Sequence, residues 1–121
     1  MNDTTTTLDQ LKKEAKTLVE ERDWHKFHNA KNLSICIAVE AAELMEHFMW
    51  LTDQEVGTAM TDPRAQDIKD EMADIVIGLL CLCNAYNIDL STAVQDKIRS
   101  IKQKYPVDKA KGSHAKYTKY Q

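Results

Sequence analysis

An all-α fold, a bundle of four long helices assembled as an oligomer, is predicted by three features of this 121-residue sequence. Glycine and proline are scarce, at 3 and 2 residues, too few for the frequent turns of an all-β chain. Apolar residues recur at helical spacing through four long segments, most of them opening on a recognisable cap. One segment, Ile75 to Cys83, is apolar around nearly its whole circumference. A surface helix of a small monomer keeps a polar face, so this one is expected to be covered by another subunit. The length suits one domain, 1–121, with a core over about 8–106 and a basic, extended or flexible tail over 107–121.

The first helix is read over Thr7 to Arg22. Thr7 and Gln10 form a capping box, and Leu8, Leu11, Ala15, Leu18 and Val19 make the apolar stripe. A link from Asp23 to Lys31 is rich in aromatic residues and histidine. The second helix is read over Asn32 to Trp50. Thr52 and Glu55 then start a short capped helix that ends near Met60. Asp62 as N-cap and Pro63 at the first helical position open the third long helix, which continues to about Tyr86. Asp89 caps the fourth, which stops near Lys104, just before Tyr105-Pro106.

Composition removes several classes. The apolar run Ile75 to Cys83 is nine residues, less than half a membrane span. The first residues carry neither the basic nor the apolar stretch of a signal peptide. The cysteines, Cys36, Cys81 and Cys83, are odd in number and lack framework spacing, so they read as reduced, buried apolar residues of a cytoplasmic protein. Net charge is −3 but uneven: residues 31–74 hold ten acids and three bases, and residues 97–121 hold eight bases and one acid. Nucleic-acid binding is disfavoured by the negative total and by the confinement of the bases to the tail.

The chemistry lies in two carboxylate pairs, Glu40-x-x-Glu43 in the second helix and Glu71-x-x-Asp74 in the third. Residues three apart differ by about 60° around a helix and lie roughly a turn apart, so each pair offers two carboxylates to one spot. Both pairs sit among apolar residues, where unpaired carboxylates repel and are poorly solvated. A hard divalent cation resolves this, and an all-oxygen set suits Mg²⁺, with Mn²⁺ as substitute. The competing arrangement is surface pairing with the few nearby bases, Lys31, Arg64 and Lys69.

These residues carry a resemblance. Glu21-Arg22-Asp23-Trp24-x-x-Phe27-His28-x-x-x-Asn32-Leu33, Glu40-x-x-Glu43-x-x-Glu46-x-Phe48-x-Trp50, Asp70-Glu71-x-x-Asp74-Ile75, Lys97 and Tyr105-Pro106 stand in order over residues 21–106. Together they resemble the MazG-like all-α nucleoside-triphosphate pyrophosphohydrolases, in particular the dCTP pyrophosphatase-like branch. The resemblance implies that Glu40, Glu43, Glu71 and Asp74 bind Mg²⁺. It also implies cleavage of a nucleoside triphosphate between the α and β phosphates, and assembly as a dimer of dimers. Trp24 and Trp50 match positions that line the base pocket in that family. The substrate-binding set is then expected to be Trp24, His28, Trp50, Lys97, Lys104 and Tyr105, with Glu43 taking the proton of the attacking water. Glu46 matches a family glutamate but lies further round the helix, and His47, one turn past Glu43, stands either behind the ligands or in a structural role and stays outside the metal set.

Two positions depart from the branch. Ile101 stands where relatives carry an asparagine, leaving phosphate contacts to Lys102 or Lys104. Gly78 stands where they often carry a tyrosine, which either opens space beside the site or serves close helix packing. A di-iron bundle is disfavoured because no Glu-x-x-His pair is present. A non-catalytic helical oligomerisation or interaction module fits the apolar third helix but leaves the two carboxylate pairs unexplained.

Overall fold

The computed structural model describes residues 1–120. It contains six α-helices and, among the described residues, no strand. The chain forms two compact units, Met1–Ile88 and a second from Asp89 onward.

In the first unit α1 spans Leu8–Glu21, and its start is the expected capping box: Gln10 N–H donates to Thr7 Oγ1 at 3.1 Å and Thr7 N–H to Gln10 Oε1 at 2.7 Å. Asp23, at φ 53, turns the chain out of it. A 3-10 turn at His25–Phe27 follows. The link is pinned at its end, where Ala30 N–H donates to the Tyr86 hydroxyl at 2.8 Å. Helix α2, Ala30–Glu46, begins two residues earlier than expected because Asn29 is the cap, accepting from Asn32 N–H at 2.9 Å. It also ends four residues earlier. Past Glu46 the chain tightens into bonds that reach back three residues, such as Phe48 N–H to Met45 O at 3.0 Å. Helix α3, Asp53–Ala59, has the expected Thr52 cap.

Helix α4, Arg64–Tyr86, is the spine of this unit and packs against both α2 and α1. Pro63 has helical angles, and Asp62 Oδ1 accepts from Arg64 N–H at 2.8 Å, so the expected start holds to within one residue. The buried apolar residues are Ala15 and Val19 of α1, Leu33 of α2, Ala59 of α3, and Ile68, Leu80, Cys81 and Cys83 of α4. Cys36 is exposed, which corrects the expectation that all three cysteines are buried. Among the described residues no single helix is long and apolar enough to cross a membrane.

In the second unit α5, Leu90–Lys104, starts on Asp89, which accepts from Thr92 N–H at 2.9 Å. The tail is not simply extended. It forms a short helix α6, Val107–Ala110, and a 3-10 turn at Tyr117–Tyr120. The Tyr105 ring meets Tyr117 and Tyr120 edge-on at 6.2 and 5.9 Å, and Lys104 Nζ lies 4.9 Å from the Tyr117 ring centre. Aromatic residues spaced through a basic segment fold it locally, which its charge alone did not reveal.

Candidate metal centre

Because α2 packs along α4, the two sequence pairs come together. One carboxylate oxygen from each of Glu40, Glu43 and Glu71 lies within 4.8 Å of the other two. Glu40 Oε2 and Glu71 Oε2 are buried and have no hydrogen-bond partner. Among the described residues, no lysine or arginine forms an ion pair with any of the three. Arg64, one of the bases within reach in sequence, is spent on Asp62 at 2.7 Å.

The electrostatics follow from this crowding. The neighbouring Glu71 carboxyl pushes Glu40 up from 4.5 to about 7, helped by burial and by the charges of Glu43 and Asp74. Burial raises Glu71 as well, with Glu43 and Asp74 adding to it, while the Glu40 carboxyl acts in the opposite direction. Three clustered carboxylates, two orphaned buried oxygens and no lysine or arginine partner fit a hard divalent cation bound by oxygen.

Asp74 is exposed and lies outside the tight trio, though its charge is felt at both Glu40 and Glu71. An aspartate is one methylene shorter than a glutamate, so from a position about 60° round the helix it reaches less far. The four-carboxylate set expected from spacing is therefore three at the centre and one at its margin. Sequence reasoning weighed His47 as a group behind the ligands against a structural role and kept it out of the metal set. The structure puts its Nε2 3.8 Å from Glu71 Oε1, with the two side chains 22% and 19% exposed. Its position four residues after Glu43, on the same helical face, was the available signal.

The expected substrate residues are distributed more widely. Trp50 is 86% exposed beyond the end of α2, and Trp24 is 45% exposed with the Arg22 guanidinium 5.8 Å from its ring centre. Neither indole serves the core. His28 is half-buried and lines a cavity of about 360 Å³ with Lys12, Lys16, Glu20, His25 and Asn84, between α1, the link and the end of α4. None of the centre's carboxylates lines that cavity. Lys97, Lys104 and Tyr105 belong to the second unit, where Lys97 is exposed and the other two take part in the tyrosine cluster. Gly78 opens no space toward α2: a Cβ there would sit 2.8 Å from Ile37 Cγ1, so it serves close packing of α4 on α2.

Comparison with known proteins identifies the family. The sequence profile of the MazG-like family matches residues 35–119. The chain is 34% identical over 113 residues to dCTP pyrophosphatase 1 of both Rattus norvegicus and Homo sapiens, covering 93% of this chain and 66% of each relative. For the Bos taurus protein of the same name the identity is 35%, over 93% of this chain and 67% of the relative. The chain thus spans about two thirds of the length of these curated relatives. A crystal structure of a pyrophosphatase from Archaeoglobus fulgidus superposes with a TM-score of 0.77 at 30% identity, covering 88% of this chain and 98% of that one. The chain belongs to the MazG-like family.

Proposed function

We propose that the protein, acting as one domain over 1–121, is a Mg²⁺-dependent nucleoside-triphosphate pyrophosphohydrolase. It converts dCTP and related deoxynucleotides to the monophosphate and pyrophosphate. The observation that carries the reading is the trio Glu40, Glu43 and Glu71 with two buried, unpartnered oxygens, in a chain similar to dCTP pyrophosphatases. Glu40, Glu43 and Glu71, with Asp74 at the margin, hold the cation. Bound there, Mg²⁺ supplies neutralisation of phosphate charge and activation of water. Glu43 accepts the proton of the attacking water on its carboxylate. The exposed rings of Trp24 and Trp50 offer flat faces to the base. The family resemblance assigns phosphate contacts to Lys97, Lys104 and Tyr105, in a chain with no Gly-x-x-x-x-Gly-Lys-Ser/Thr loop for γ-phosphate transfer. The active form is a dimer of dimers in the cytoplasm, where the role is removal of surplus or aberrant nucleotides from the pool.

The test is hydrolysis of standard and modified nucleotides in ¹⁸O water with Mg²⁺, products separated by chromatography. Monophosphate carrying the label plus pyrophosphate is expected, activity should vanish on chelation, and Glu43→Gln should lower kcat by about 10²–10⁴-fold. Accumulation of dCDP with orthophosphate would overturn the reading. Absence of any Mg²⁺-dependent turnover or stabilisation would favour the non-catalytic interaction module.

A further inference from the structure

We propose that His47 is a positioning residue of the metal centre, whose Nε2–H holds Glu71 Oε1 and leaves Glu71 Oε2 as the oxygen that faces the cation. The inference rests on the reading of the carboxylate trio as a metal site. Its basis is the division of labour between the two oxygens of Glu71. Oε1 lies 3.8 Å from His47 Nε2, while Oε2 is buried and has no partner. The other groups acting on Glu71 are all acids: Glu40, Glu43 and Asp74. Among the described residues, His47 is the one side chain with an N–H within ion-pair range of this carboxylate.

The backbone of His47 is held at the helix end. It caps α2 with helical angles, φ −61 and ψ −21, and its backbone N–H is bonded to Leu44 O and Met45 O. A residue in this position stands four after Glu43, so the helix that supplies two members of the trio also supplies the donor for the third. The separation exceeds a direct N–H···O bond. A small ring rotation or one bridging water closes it.

The chemistry favours imidazole over the alternatives. A lysine or arginine here would neutralise Glu71 and compete with the cation. An imidazole ring with its proton on Nε2 offers Glu71 a single directed donor. Donors of this kind fix the orientation of a ligating carboxylate, and their loss typically weakens metal binding by about 10–100-fold.

The experiment uses the full chain and reads free Mn²⁺ by electron paramagnetic resonance, with kcat and KM for dCTP measured alongside. His47→Leu, which keeps bulk and removes both ring nitrogens, should weaken Mn²⁺ binding by about 10–100-fold. KM for dCTP at saturating metal should stay within about twofold. His47→Gln, which keeps a donor, should recover most of the binding. Equal Mn²⁺ affinity in wild type and His47→Leu would overturn the inference. So would equal loss in His47→Leu and His47→Gln, which marks a packing role. Direct ¹⁴N coupling to bound Mn²⁺ that disappears in both variants would make His47 a ligand and also overturn it. Glu71→Gln is the control that should abolish binding. If wild type itself fails to bind Mn²⁺ saturably, the metal-centre reading fails, and this inference with it.

Discussion

Glu40 determines the pH behaviour of the centre before any cation arrives. In the folded protein it keeps its proton up to about 7, against 4.5 for an unperturbed glutamate. A raised folded value means that its stabilising contribution is complete below the unfolded pKa and is lost as pH rises through the folded one. The metal-free protein should therefore lose thermal stability between about pH 5 and 8, by this group's contribution. A divalent cation competes with the same proton, so its affinity should rise over that interval and its binding should release protons. Scanning calorimetry with chelator checks the first statement, and titration calorimetry in two buffers of different ionisation enthalpy checks the second. Glu40→Gln should flatten the stability profile while abolishing metal binding; an unchanged profile would refute the assignment. The two carboxylate pairs were legible because helical spacing alone aligns carboxylates three residues apart on one helix. That Asp74 falls at the margin, that two oxygens are orphaned, and that the partner of His47 is Glu71 of the other helix were not legible, although the spacing of His47 from Glu43 was. Each depends on how α2 and α4 pack against each other, which no local pattern encodes.

Helices α3 and α4 each contain one glycine, and their surroundings predict opposite outcomes for the same substitution. A Cβ at Gly57 meets nothing within 4 Å. Gly57→Ala should therefore stabilise the protein by roughly 0.5–1 kcal/mol, through backbone entropy and helix propensity. At Gly78 the added methyl would press on Ile37 Cγ1 at 2.8 Å, close to the branch point and unable to swing aside cheaply. Overpacking costs about 1–3 kcal/mol, which outweighs the helix-propensity gain. Urea denaturation of Gly78→Ala should show a net loss of up to about 2 kcal/mol. In an Ile37→Ala background the sign should reverse. No reversal would mean that the contact is not what holds the glycine. Elements were well read where side chains cap them: Thr7, Thr52 and Asp89 each mark a helix start by accepting a backbone N–H. They were misread where packing decides. No glycine or proline stops α2 after Glu46, and Phe48 and Met49 continue its apolar pattern, so its end could not be seen. The tail was judged by its charge, whereas three tyrosines fold it.

A single copy leaves large apolar side chains uncovered on the two helices that build the metal centre. Ile35, Val39 and Met45 of α2 are 54%, 49% and 61% exposed, and Met72 and Val76 of α4 are 49% and 43% exposed. Scattered apolar residues are ordinary on a surface, but several on two packed helices need covering. A second copy is the expected cover, so the solution mass should be at least twice 13.8 kDa. Light scattering at micromolar concentration checks this, and a stable 13.8 kDa species would contradict it. Val39→Lys or Met72→Lys should shift the protein toward monomer, because an unpaired charge in an apolar contact is costly. Charge offers a rival route to assembly, since residues 31–74 carry ten acids against three bases and residues 97–121 eight bases against one acid. Salt separates the two. At about 1 M the screening length falls to about 3 Å, and an assembly held by acidic and basic segments would dissociate. An assembly held by the faces of α2 and α4 should keep its mass, because burial of apolar surface is not weakened by screening. Persistence of the oligomer at high salt, together with its loss in Val39→Lys at low salt, is the expected pair of results. The reverse pair would place the contact in the charged segments instead.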